Sequence, residues 1–133
     1  MAAVRYLNPG NLPKPGQYSH IARTAATELL FIAGQVANGL DGAIVSLDFD
    51  AQCTQVFANI GAALQSQGAL WRDIVQFTTY LVDSADLVKL REFRSREFPK
   101  LFPEGNYPPN TLLIVSALVH PDYRLEVQVV AAL

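Results

Sequence analysis

Few side chains in this sequence can do chemistry, and most of them stand far apart. There are two histidines, His20 and His120, and one cysteine, Cys53. A catalytic nucleophile needs a base within hydrogen-bond reach and an acid to orient that base. No such partner is visible for either histidine, so a triad is not supported. Three potential ligands so widely spaced do not make a structural zinc site. Cys53 falls on the apolar stripe of a predicted helix, where a core thiol is the simpler reading than a nucleophile. The carboxylate that stands out is Glu126, the sole charge in the apolar run Leu125 to Leu133. It is either an interface glutamate in an ordinary ion pair or the group that moves or orients a proton carrier in a pocket. Lys89, Arg91, Arg94, Arg96 and Lys100 make one segment basic, but Glu92 and Glu97 interrupt it and the net charge is -2. A solvated helix face explains that pattern better than nucleic-acid contact.

The bulk properties bound the rest. At 133 residues, with 50% apolar and 17% charged side chains, the chain suits one globular domain spanning residues 1–133. A lone cysteine excludes an internal disulfide and fits a reducing, cytoplasmic setting. The start, Met1 to Arg5, lacks the apolar core of a signal peptide, and no apolar run approaches the ~20 residues that span a bilayer.

The elements that must position these groups can be read from punctuation and periodicity. Val4 to Leu7 predicts a short edge strand. Four turn signals follow between residues 7 and 16, since each proline removes a backbone donor and glycine permits positive φ. Tyr18 to Arg23 and Glu28 to Val36 read as strands, and Thr24 to Thr27 is short enough to join them as a hairpin. Asn38-Gly39 and Asp41-Gly42 mark a loop. Ala51 to Gln67 predicts a helix with Cys53, Val56, Phe57, Ile60 and Leu64 on one stripe, acidic residues before it and Gly68 as its stop. Ile74 to Val82 predicts a strand. Ser84 is placed to cap a second helix reaching about Phe98, with Leu87, Leu90, Phe93 or Arg94, and Phe98 inward. Pro99, Pro103, Pro108 and Pro109 punctuate the loop beyond. Leu112 to Val119 and Leu125 to Leu133 predict the last two strands, with His120-Pro121-Asp122 as a turn between them.

A strand-heavy order with two inserted helices predicts an α+β domain: a mixed β-sheet with both helices on one face. Leu29 to Ala33 and Leu112 to Val115 are apolar at consecutive positions, which suits strands covered on both sides. Two helices cover one face only, so copies of the same chain are the economical cover for the other. Along the last strand, Leu125, Val127, Val129, Ala131 and Leu133 share the helix-facing side. Glu126, Gln128, Val130 and Ala132 share the opposite side. In Ile74 to Val82, the helix-facing set is Val75, Phe77, Thr79 and Leu81, and the opposite set is Ile74, Gln76, Thr78, Tyr80 and Val82. That opposite face mixes apolar groups with uncharged polar ones and a single carboxylate, as a subunit interface lining a small polar pocket requires.

Five segments at these spacings resemble the Rid/YjgF family, whose domain is also called endoribonuclease L-PSP. They are Pro15-Gly16-Gln17-Tyr18-Ser19-His20, Leu30 to Val36, Gln55 to Ile60, Asp73 to Asp83, and Leu125-Glu126-Val127-Gln128. The resemblance covers about Val4 to Leu133. It implies a chorismate-mutase-like fold, a homotrimer with the remaining sheet faces inward, and small-molecule sites in the clefts between subunits. It also implies hydrolysis of enamine or imine intermediates to a ketoacid and ammonia without a cofactor. Carried over, the pocket tyrosine is Tyr18, the glycine is Gly34 and the water-orienting glutamate is Glu126. The family's carboxylate-gripping arginine, a fork of two donors, falls at Asn110 within Tyr107-Pro108-Pro109-Asn110-Thr111. A serine or cysteine common beside the glycine is Ala33, and a second-helix asparagine falls at Arg91, which offers a cation from another place. Asparagine has no charge and only two amide donors, so arginine-dependent deamination of 2-imino acids is not expected at this site. Two further readings are a non-catalytic binding module of the same fold and, behind it, a ribonuclease. No histidine acid/base pair supports the ribonuclease.

Overall fold

The computed structural model describes residues 4–133. Strand β1 (Val4–Leu7) pairs antiparallel with β2 (Ile21–Thr24) as a separate ribbon, Val4 opposite Thr24 and Leu7 opposite Ile21. The expected hairpin across Thr24 to Thr27 does not form. Thr24 Oγ1 accepts from the Ala26 amide at 3.0 Å, which turns the chain locally. The amides of Thr27 and Glu28 then donate to the Leu133 carbonyl, each at 3.1 Å, committing the next strand to the end of the chain. The expected strand start at Tyr18 is also corrected, to Ile21. Asn8 Oδ1 accepts from the His20 amide at 2.7 Å and its Nδ2 donates to Ser19 Oγ at 3.3 Å, so a side chain takes the bonds a ladder would have used.

The main sheet has the order β3 (Leu29–Gln35), β6 (Leu125–Ala132), β4 (Ile74–Leu81), β5 (Asn110–Ile114). β6 is antiparallel to both neighbours, while β4 and β5 run parallel. This is the mixed α+β sheet expected from the element order. β5 starts at Asn110 and stops at Ile114, beginning two residues and ending five residues earlier than the expected Leu112 to Val119. Its partner β4 ends at Leu81, whose carbonyl takes the Val115 amide at 2.8 Å, so no ladder remains to extend.

Helix α1 (Phe49–Ser66) begins where Asp48 accepts from the Ala51 amide at 2.9 Å and ends before Gly68, whose φ of +69° suits a residue without Cβ. Its predicted stripe, Cys53, Val56, Phe57, Ile60 and Leu64, is buried. Before helix α2 (Leu87–Leu101), Asp83 rather than Ser84 caps the chain, accepting from the Ala85 amide at 2.9 Å over a short 3-10 turn, Ser84–Asp86. Pro99 lies inside the last turn of α2 instead of beyond it. A proline there removes one backbone bond. The edge-on packing of Phe98 against Phe102, centroids 5.4 Å apart, holds the turn together.

Both helices pack on one sheet face. Leu125, Val127, Val129 and Ala131 of β6 are fully buried there, with Phe77 and Leu81 of β4. An irregular register between Ile74 and Gln76 turns Ile74 into this core as well, against the simple alternation that assigned it to the far side. Phe57 is the hub of the aromatic cluster, with ring centroids of Trp71, Phe77, Phe93 and Phe98 between 5.3 and 6.1 Å away. The other sheet face is bare in the single chain: Phe31 is 75% exposed, Leu29 52% and Leu113 40%. Among the described residues no helix is long and apolar enough to cross a membrane.

Candidate functional site

Glu126 is half-buried on the bare face, directly opposite Tyr80 across the antiparallel β4–β6 pair. Its carboxylate lies against the Cα of Gly34. A Cβ built on Gly34 would stand 1.9 Å from Glu126 Oε2 and 2.7 Å from Cδ. Gly34 sits where the β3–β6 register shifts, between Ile32 and Gln35. A bulge there bends the strand, and only a residue without a side chain lets the carboxylate lie down on the backbone. Among the described residues no side chain or amide donates to that carboxylate. A free carboxylate on a polar strip can accept from a water and orient it. Gly34→Ala is expected to lift the carboxylate out of position. Ligand affinity or turnover should fall about tenfold or more, while the melting temperature shifts little, because the group displaced is the end of a flexible side chain. Calorimetric melting beside a binding titration checks both halves.

Behind Gly34, α1 secures the strand end. Asn59 Nδ2 donates to the carbonyls of Val36 and Asn38, each at 3.1 Å, and Gln55 Nε2 donates to Asn59 Oδ1 at 2.8 Å. These residues and Gly34 line a shallow surface cavity of about 470 Å³.

Asn110 opens β5 beside Phe77, and its side chain turns toward the helix side of the sheet, away from Glu126. Its Oδ1 accepts from the Thr79 hydroxyl at 2.7 Å. Thr79 is fully buried and also accepts from Arg94 Nη2 at 3.1 Å. Arg94, 6% exposed on α2, has no carboxylate partner among the described residues, and its Nε is buried without any acceptor among them. Its guanidinium lies over the Phe98 ring, 5.5 Å from the centroid. Burial lowers the Arg94 pKa to about 10, partly offset by the neighbouring Cys53. Burial in turn pushes the Cys53 thiol up to about 12, which suits a core thiol and not a nucleophile.

Tyr18 lies in the loop before β2, packed edge-on against His20 with centroids 5.5 Å apart. Its neighbours fasten that loop to two elements. The Ser19 amide donates to the Pro108 carbonyl, two residues before Asn110, at 3.4 Å, and Gln17 Nε2 reaches the Arg91 carbonyl at 3.1 Å and Ser95 Oγ at 2.9 Å. Arg91 is exposed on α2 and lines an open groove with Val88, Glu92, Ser95 and Arg96. Tyr18, Asn110 and Arg91 therefore belong to one edge of the chain, while Gly34 and Glu126 belong to the bare sheet face. Within one chain the two groups do not meet.

Both histidines serve turns. His20 Nε2 donates to the Pro13 carbonyl at 2.6 Å, and His120 Nδ1 accepts from the Asp122 amide at 3.1 Å. Two groups escaped the sequence reading of the site. Thr79 was visible only as a polar residue in the helix-facing alternation of β4, and Arg94 only as an alternative to Phe93 for an inward position. Both are buried.

A mixed sheet backed on one face by two helices, with its carboxylate and a glycine bulge on the bare face, defines a protein of the chorismate-mutase-like α+β class. Within that class the chain belongs to the Rid/YjgF family: the family profile described as Endoribonuclease L-PSP matches residues 11–133. A RutC family protein of Pyrococcus abyssi is 31% identical over 121 residues, covering 90% of this chain and 89% of that protein. A Rid family protein of unknown function from Yersinia pestis superposes with a TM-score of 0.85 at 32% identity, covering 98% of this chain and 99% of that one. RidA from an Antarctic Psychrobacter gives a TM-score of 0.69 at 25% identity, covering 97% and 99%.

Proposed function

We propose that the chain is a Rid-like protein that binds a small metabolite in clefts between copies of itself, as a homotrimer, and hydrolyses an imine- or enamine-type bond with Glu126 orienting the water. The observation that carries this reading is the Glu126 carboxylate lying uncommitted against Gly34 on a sheet face the single chain leaves bare. Water attack on an imine carbon needs an acceptor that aligns the water and takes its proton, and then a donor for the departing amine. One carboxylate near neutral pH does both in turn. The cleft supplies what one chain lacks. Glu126 and Gly34 of one copy face the edge of the next, where Tyr18, Asn110 and Arg91 stand. Coupled measurement of ammonia release from freshly generated imines tests this reading, and acceleration over buffer is expected.

Asn110 favours a second reading, a non-catalytic binding or regulatory module. It lacks the charged fork that would grip an amino-acid-derived imine. Freshly generated 2-aminoacrylate separates the two: no acceleration with this or any neutral imine favours the module. The trimer makes a separate prediction. Phe31→Glu puts a charge on the most exposed apolar residue of the bare face and should dissociate the assembly to single chains. An unchanged elution volume in size-exclusion chromatography at micromolar concentration is the contrary result.

A further inference from the structure

Arg94 is a buried cation in a family fold whose expected cation, at position 110, is an asparagine. The two positions are joined. Arg94 Nη2 can only donate, so Thr79 Oγ1 accepts from it at 3.1 Å. The Thr79 hydroxyl hydrogen is then free to go to Asn110 Oδ1, 2.7 Å away. That order fixes the amide. Its oxygen faces inward, and its Nδ2, which has no partner among the described residues and is not sealed in the core, faces out. Arg94 is held for this task by the Phe98 ring and by burial, not by a counter-ion, and its Nε goes unpaired. An unpaired buried guanidinium is costly, and it leaves a positive potential behind the amide donor.

We infer that Arg94 is a positioning residue which, through Thr79, presents the Asn110 amide N–H to the cleft, and that the ligand group it meets is a neutral oxygen acceptor, a carbonyl or carboxamide, in place of the carboxylate a guanidinium would grip. This assignment rests on the cleft site proposed above. A single amide donor cannot neutralise a carboxylate, and the Arg94 charge is buried behind Thr79 and the sheet, too far inside to touch the ligand. It does polarise the chain Arg94–Thr79–Asn110, which strengthens the outward N–H. A cationic group is disfavoured at the same spot.

The test reads the Asn110 side-chain amide by ¹⁵N–¹H NMR in the full-length protein, which needs no ligand. In the unaltered protein one resolved amide pair is expected. Arg94→Met, which keeps the bulk and removes the donor, should broaden or shift that pair while backbone amides of β6 stay in place. Should Arg94→Met fail to fold, Thr79→Val breaks the chain at its middle and gives the same readout. Unchanged Asn110 signals in a folded variant overturn the positioning role. Pyruvamide and pyruvate are then titrated as neutral and anionic probes of one shape. Pyruvamide should bind about tenfold tighter, the worth of one well-made hydrogen bond, and the preference should vanish in Arg94→Met. A preference for pyruvate, or no binding of either, overturns the ligand class. Failure of the hydrolysis reading shows separately, as imine breakdown that never exceeds buffer while the Asn110 signals still depend on Arg94.

Discussion

Glu126→Gln should abolish turnover while leaving the fold intact, with a loss of about 10²- to 10⁴-fold, the usual range for removing a positioned acid or base. Glutamine has the same shape, so the fit against Gly34 and the pairing opposite Tyr80 are kept. What disappears is the proton acceptor. The substitution breaks no hydrogen bond among the described residues, and the side chain is only half-buried, so the melting temperature should hardly move. The loss should lie in kcat with little change in KM, because the carboxylate acts on water rather than on the ligand's grip. Steady-state ammonia release from a neutral imine, with a melting curve on the same sample, measures both. Retained turnover in a folded Glu126→Gln protein would sink the mechanism.

The largest expected effect on stability lies away from the site. Asp86 is 1% exposed and receives a fork from Arg124, whose Nε sits 3.2 Å from Oδ2 and whose Nη2 donates to Oδ1. Arg124 also stacks over Phe49, 5.5 Å from the ring centroid, and its backbone amide donates to the buried Gln52 side chain at 2.9 Å. Gln52 in turn donates to the Ser46 and Asp122 carbonyls, at 2.9 and 2.8 Å, so one cluster ties the loop before α1 to the turn before β6. Arg124→Met removes the cation and strands a carboxylate in the core. Breaking a buried pair in this way costs about 3–5 kcal/mol. The lower end is expected, because Arg124 keeps 30% of its side chain in solvent. Asp86 and Arg124 replaced together by apolar residues should recover much of the loss. The exposed Arg96–Asp50 pair is the control, since its removal should barely move the midpoint. Urea unfolding monitored at Trp71 follows all four proteins, and equal midpoints for Arg124→Met and the unaltered chain would contradict the account.

Much of the fold was legible because its signals are local. The α1 stripe, its acidic cap and Gly68 all lie within a few residues of what they specify. The alternation along Leu125 to Ala132 separates core from bare face by its period alone, and so places Glu126 on the side away from the helices. The failures share a cause too. Thr24 to Thr27 has hairpin length, but Leu29 pairs with Ala132, more than one hundred positions away. Ile74 breaks alternation because the register shift that turns it inward is a property of the β4–β6 pair, not of either strand. Residues 112–119 are apolar enough for a strand, yet β5 ends with its neighbour.

The site was legible to the same degree. Gly34 and Glu126 were named separately, and the structure brings them into contact. Asn110 stood out as a substituted position, but its partner in the fold, Arg94, looked like one more cation on a basic helix. Only the packing of α2 against β4 distinguishes the buried Arg94 from the four other cations of that segment. Tyr18 and Arg91 share an edge with Asn110, and within one chain that edge does not meet Glu126.

Mass in solution therefore decides the central claim most directly. Light scattering at micromolar concentration should return three times the chain mass of 14.6 kDa, because the proposed cleft divides its residues between neighbouring copies. A mass of one chain would mean that Glu126 faces only solvent and that no cleft site exists.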